Sequence, residues 1–242
     1  MIEIKVDLHT HTVASTHAFS TVTENAKEAK RLGLEAFAVT DHGPGLPDGA
    51  HIWHFTNLNS IPRELEGVKV IRGAECSFQN KEAELDLPER ALKKMEIVIG
   101  SVHPPVYVPQ TTDEATALIL KAIENPYLDI LGHMDRTKFS AIPDYDIVVP
   151  RAVENDKIIE FNAHSLDKGE EHNTRNLLKA CKKYGATIAV NSDAHFYSTL
   201  GRFDECIKIL EEIGIGEEQI INTNYEKVKE YIDKKMKIKE NL

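Results

Sequence analysis

Asp7-Leu8-His9-Thr10-His11 ends a short β-type run that contains Ile2, Ile4 and Val6. Side chains alternate faces along an extended strand, so two histidines spaced by two share a face and can grip one metal ion. A pair of surface histidines would look the same in isolation. The remaining histidines separate the two readings. The chain carries 11 of them. His17 lies in the connection after the first run, and Asp41-His42 sit at the end of the second. Glu75 falls near the end of the third, His103 just past the fourth, and His133 at the end of the fifth. Asp193 and His195 follow the seventh. All of these candidate ligands sit at or just beyond the carboxyl ends of strand runs, the end that carries the active site in parallel α/β folds. Imidazoles with a few carboxylates and no cysteine point to zinc, manganese or iron and away from calcium. Seven imidazoles and two carboxylates exceed the four ligands zinc usually takes, so the count favours a cluster of two or three ions.

The elements that must position these groups follow from the pattern. Strands are expected at Ile2–His9, Ala36–Thr40, Val68–Cys76, Ile97–Val102, Leu128–His133, Ile158–Asn162 and Thr187–Asn191. Helices are expected between them, at Thr23–Leu32, Ile61–Glu66, Pro88–Lys94, Thr112–Glu124, Pro143–Glu154 and Asn173–Tyr184. Thr23 reads as the cap of its helix, and Gly33 and Gly185 stand where left-handed C-caps belong. Alternating strands and helices imply a closed or nearly closed α/β barrel of seven parallel strands, with an open doubly wound sheet as the competitor. No composition break suggests a second domain, so residues 1–242 read as one. Gly43–Ser60 is a long connection rich in Pro, Gly, His and aromatics, of a length that is more often functional than filler. The tail from Tyr225 to Leu242 reads as a charged helix with Val228, Tyr231 and Ile232 as its apolar stripe.

Composition excludes several function classes. Hydrophobic residues make up 41 % and charged residues 28 %, as in soluble globular proteins. The net charge of −10 supplies no basic field for nucleic acid or an anionic membrane. Cys76, Cys181 and Cys206 are odd in number and widely spaced, which predicts a reduced, cytoplasmic setting with the thiols as core filler. No stretch approaches the ~20 apolar residues of a membrane span.

The pieces Asp-Leu-His-Thr-His-Thr at 7–12, Thr-Asp-His at 40–42, Glu75, His103, His133 and Ser-Asp-Ala-His at 192–195 resemble the PHP family, named for polymerase and histidinol phosphatase domains. Val13–Ala18, Thr40–Pro44 and His51–Phe55 resemble its YcdX-type phosphatase branch in particular. The resemblance implies a distorted seven-stranded TIM-like barrel with three divalent ions at its mouth, zinc first and manganese or iron next. By the same resemblance His9, His11, Glu75 and Asp193 would hold one ion. Glu75, His103 and His133 would hold a second, and His17, His42 and His195 a third. Three divalent ions against two carboxylates would leave a cationic mouth, suited to a small phosphomonoester cleaved by metal-activated hydroxide.

Around this set, Asp41 and Asp7 are candidate orienters of an imidazole N–H. Arg136 and Lys138, then Arg202, are candidate phosphate clamps. His164 is placed to face the site, and His51, Trp53 and His54 to line an entrance. Phosphodiester or exonuclease chemistry, amidohydrolase-type C–N hydrolysis and plain metal binding are the competing readings. A monomer or a small homo-oligomer fits the composition.

Overall fold

The computed structural model of this protein describes residues 2–138 and 140–242. Its strands are β1 (Val6–Asp7), β2 (Ala36–Val39), β3 (Glu64–Leu65), β4 (Val68–Ser77), β5 (Ile97–Ser101), β6 (Ile130–Leu131), β7 (Ile158–Asn162) and β8 (Ile188–Asn191). Seven of them pair in parallel in the order β1-β2-β4-β5-β6-β7-β8, and β3 adds to β4 as an antiparallel flap. Helices alternate with the strands and pack outside, giving a nearly closed barrel. Side chains and one backbone bridge complete the seam between β8 and β1. The Asn222 amide donates to Val6 O (2.7 Å) and Val190 O (2.6 Å), and its Oδ1 accepts from Val190 N–H (3.1 Å). Leu8 N–H donates to Asn191 Oδ1, and Thr10 bridges Ala194.

Strand alternation divides the core in two. Phe37, Val39, Val98, Ile159, Phe161 and Val190 face outward under the helices. Val6, Leu8, Ile71, Ile97, Ile99, Ile130 and Ile158 fill the barrel interior. The expected tail helix spans Tyr225–Glu240 and inserts Val228, Tyr231 and Ile232 into this interior cluster. It therefore forms the floor of the barrel. At its end Lys239, wholly buried, bonds Asp129 Oδ2 at 2.7 Å and Met95 O at 3.2 Å.

Several expectations change. The segment Ile61–Glu66 is not a helix: Glu64–Leu65 folds back on Val68–Lys69 as a hairpin. Its two turn residues, Glu66 (φ 55°) and Gly67 (φ 88°), both occupy the left-handed region that such two-residue turns require. The first helix begins at Val22 and is capped by Thr21, not Thr23; Thr21 and Glu24 form a reciprocal capping box. Gly33 and Gly185 take the left-handed C-cap positions. The first strand is two residues long instead of eight. The long connection after His42 contains a short helix, Ile52–Thr56. All three cysteines are free and buried.

Candidate metal centre

The early end of β1 has a chemical consequence. Val6 and Leu8 share the barrel interior while Asp7 points outward, so strict alternation would turn His9 outward as well. Because the ladder stops at Asp7, His9 instead reaches inward, with Nδ1 2.7 Å from Glu160 Oε1. His9 Nε2 then lies 3.1 Å from His11 Nε2, 3.2 Å from Glu75 Oε2 and 3.4 Å from Asp193 Oδ1. His11 Nε2 is 3.4 Å from Glu75 Oε2 and 3.1 Å from Asp193 Oδ1. Four donors around a zinc-sized ion stand about 3.3 Å apart when tetrahedral, which is the spacing found here.

Glu75 faces two ways. Its other oxygen, Oε1, is 2.9 Å from His133 Nε2 and 3.2 Å from His103 Nε2. Oε2 is buried and makes no hydrogen bond of acceptable geometry despite the ring nitrogens around it. A fully buried carboxylate oxygen in that state calls for a cation. Farther out, His17 Nε2 is 3.3 Å from His42 Nε2 and 2.9 Å from His195 Nε2. His42 also turns Nδ1 to within 2.8 Å of Glu75 Oε2, so this ring stands between the outer trio and the inner groups. The donor sets His11–His42–His195 and His42–Glu75–His103 converge closely as well.

A second layer fixes the rings. Nδ1 of His9 faces Glu160, that of His103 faces Ser77 Oγ (3.0 Å), and that of His195 faces Asp193 O (3.0 Å). Nδ1 of His17 pairs with Asp48, and that of His11 is 3.4 Å from Ser15 Oγ. In each of these rings the outer nitrogen is engaged and Nε2 is aimed at the cluster, as in metal-ligating histidines. Burial, with His42 and His195 nearby, pushes His11 down to about 3; burial beside Arg136 pushes His133 down to about 4. Both are therefore neutral near pH 7, the form that binds metals. Burial opposes ionisation of Glu75, yet His9, His103 and His42 hold its carboxyl well below the usual range. Burial likewise opposes a charge on His9, but Glu160, Glu75 and Asp193 raise it well above an ordinary imidazole. The carboxylates around Nε2 demand positive charge at that point.

Of the proposed orienters, Asp41 faces an imidazole outside the cluster and Asp7 faces main-chain N–H groups. Asp7, pushed up to about 6 by burial, accepts the main-chain N–H groups of His9, Ser192 and Gly201 and ties β1 to β8. Asp41 lies 3.1 Å from His54 Nε2, not against a ring of the cluster. It also clamps the following loop through Thr12 N (2.7 Å) and Ser15 Oγ (2.8 Å). Ser15 Oγ in turn accepts from His42 N–H, so Asp41 reaches the cluster indirectly. Glu160, Asn162 and Asn191, which support His9 and Asp193, were not singled out from the sequence. The available signal was a carboxylate inside the apolar strand Ile158–Asn162, since such a group is rarely buried unpaired.

Above the cluster opens a cavity of about 830 Å³. Arg136, Lys138 and His164 line it, together with Lys168, Phe19 and Phe196. Arg136 is buried and donates through Nη2 to Asp193 Oδ2 (2.8 Å) and Asn162 Oδ1 (2.8 Å), so it orients the Asp193 carboxylate. Lys138 and Lys168 are exposed at the rim. Arg202 lies in an adjoining groove that shares His164 with the main cavity. His51 caps the helix Ile52–Thr56 and Trp53 is 75 % exposed; neither lines the cavity.

Comparison with known proteins places this arrangement. A family model described as the PHP domain matches residues 7–241. A "probable phosphatase" of Caldanaerobacter subterraneus is 42 % identical over 240 residues, covering 98 % of this chain and 94 % of that one. A "probable phosphatase" of Clostridium acetobutylicum is 38 % identical over 237 residues, covering 97 % and 96 %. Among solved structures, histidinol phosphate phosphatase from Lactococcus lactis, complexed with zinc, L-histidinol and phosphate, superposes with a TM-score of 0.65 at 18 % identity. It covers 88 % of this chain and 94 % of that one. A chain of archaeal ribonuclease P bound to mature tRNA superposes with a TM-score of 0.60 at 17 % identity, covering 98 % and 92 %. At those identities the structural likeness speaks to the fold.

Proposed function

Because this chain belongs to the PHP family, we propose that it is a metal-dependent phosphatase acting on a small phosphomonoester at a trinuclear, zinc-type centre. The observation that carries the reading is Glu75, whose two oxygens address His9 with His11 and His103 with His133 while Oε2 lacks a hydrogen bond. His9, His11, Glu75 and Asp193 would hold one ion; Glu75, His103 and His133 a second; His17, His42 and His195 a third. When bound, such ions supply Lewis acidity and water activated at neutral pH.

The remaining roles fall to the chain itself. Arg136 keeps Asp193 turned toward His9 and His11. Lys138 and Lys168 offer mobile cations at the rim to a phosphate dianion. Phe19 and Phe196, exposed by 70 % and 43 %, present apolar surface to the organic part of the ester. Their backbones are pinned together by Phe19 N–H to His195 O (2.8 Å) and Tyr197 N–H to Ser20 Oγ (2.7 Å). The small-phosphomonoester reading is supported by a cavity large enough for a small organic molecule and by the names of the relatives. We treat residues 1–242 as one catalytic domain.

Elemental analysis of native protein is expected to find close to three zinc, manganese or iron ions per chain. Phosphate release from an aryl phosphate is expected to stop on chelation and return on adding the metal back. A reproducible value near one ion per chain would remove the trinuclear centre. Chelator-resistant hydrolysis would remove the metal-dependent reading altogether.

A further inference from the structure

Glu160 is fully buried beneath the cluster, and its carboxylate accepts four hydrogen bonds. Oε1 faces His9 Nδ1 (2.7 Å) and accepts from Asn191 Nδ2 (2.9 Å). Oε2 accepts from the His133 main-chain N–H (2.9 Å) and from Asn162 Nδ2 (2.9 Å). Each of these partners leads onward to the cluster. Asn191 Oδ1 also accepts from Leu8 N–H, which fixes the chain immediately before His9. Asn162 Oδ1 accepts from Arg136 Nη2, the nitrogen that also reaches Asp193 Oδ2. His133 has φ 25°, in the left-handed region that a residue with a side chain rarely adopts, so its backbone needs an outside anchor. The hydrogen bond to Glu160 is that anchor.

Glu75 and Glu160 thus touch the same two groups of ligands from opposite sides. Glu75 meets the donor nitrogens, while Glu160 meets the outer nitrogen of His9 and the backbone of His133. We propose that Glu160 is a positioning residue that sets His9 and His133 in register, so that the two halves of the Glu75-centred cluster take up metal as one unit. The proposal rests on the metal centre inferred above. A carboxylate on Nδ1 fixes the ring and strengthens Nε2 as a donor, and losing such a partner typically weakens metal binding about 10- to 100-fold. In Glu160 one side chain does this for one half and holds the main chain of the other. The outer trio takes its second-layer support elsewhere, from Asp48 at His17 and the Asp193 carbonyl at His195.

The test is a titration of metal-free protein with Zn²⁺ against a chromophoric chelator, repeated with Co²⁺ and its visible absorption. In Glu160→Gln, two equivalents are expected to weaken together by about 10- to 100-fold, with the third within about twofold of wild type. Glu160→Asp is expected to behave like Glu160→Gln, because the shorter arm keeps the charge but cannot span from His9 Nδ1 to His133 N. Recovery of wild-type affinity in Glu160→Asp would overturn positioning in favour of charge alone. Weakening of a single equivalent would overturn the coupling. Equal weakening of all three, with a lowered melting temperature of the metal-free protein, would assign Glu160 a general structural role instead. If both variants fail to fold, Asn191→Ala leaves the carboxylate in place and removes one of its donors. It is expected to weaken the same two equivalents by about threefold or more, and unchanged affinity there would overturn the proposal. Failure of the wild-type protein to bind metal would sink the metal centre itself, an outcome distinct from all of these.

Discussion

Glu75→Gln is expected to lower kcat/KM for an aryl phosphate by on the order of 10²–10³-fold or more, while the protein stays folded. The change is nearly isosteric, so packing around a wholly buried side chain is preserved. It removes one negative charge and turns one oxygen into an N–H donor. Oε1 now lies within 3.2 Å of two ring nitrogens and Oε2 within 3.4 Å of three, so whichever end becomes the amide would lose its hold on one of the proposed ions. Metal content and activity should fall in parallel, and far-UV circular dichroism should not change. A variant that keeps its activity within about tenfold would show that the chemistry does not pass through this carboxylate.

The largest stability effect is expected at the other end of the barrel. Lys239→Ala should destabilise the protein by about 3–5 kcal/mol, because it leaves Asp129 buried without its partner. Both side chains are fully buried, and Asp129 Oδ2 also accepts from Val98 N–H at 2.9 Å. The carboxylate is therefore committed to the start of β5 and cannot turn to solvent. For a chain of this size the melting temperature should fall on the order of 10 °C. Activity per folded molecule should remain, since the floor is remote from the mouth. Urea denaturation followed by circular dichroism measures the change; a loss below about 1 kcal/mol would mean that water reaches Asp129.

The clustered histidines are legible in the sequence because one residue type recurs at equivalent places, just past successive β-runs. Strand periodicity, by contrast, gives a pairing of His9 with His11 for the wrong reason. The ladder ends at Asp7, and His9 departs from the alternation that would have turned it outward. Asp7 and His9 accordingly have different surroundings despite their shared parity. Glu160 escapes notice because a lone carboxylate in a short apolar strand carries no spacing with anything else. Its partners are Asn162, two residues along the same strand β7, and Asn191 on the adjacent strand β8. The hairpin at Glu64–Lys69 was masked by Ile61 and Leu65, whose i, i+4 spacing imitates a helix; Pro62 and Gly67 were the contrary signals.

A floor sealed by the last helix has a kinetic corollary. With the interior packed from Val6 to Ile232, the described residues leave the proposed ions and phosphate one doorway, past His17 and His195. Accessibility falls steeply along that path. The His17 side chain is 48 % exposed and that of His195 24 %, while His9 and Glu75 are at 0 %. A chelator should therefore strip the protein in stages, emptying the outer trio first and the Glu75 pair later and more slowly. Inorganic phosphate resting in the doorway should delay every stage. Stopped-flow release traces with one phase, indifferent to phosphate, would indicate a second way out.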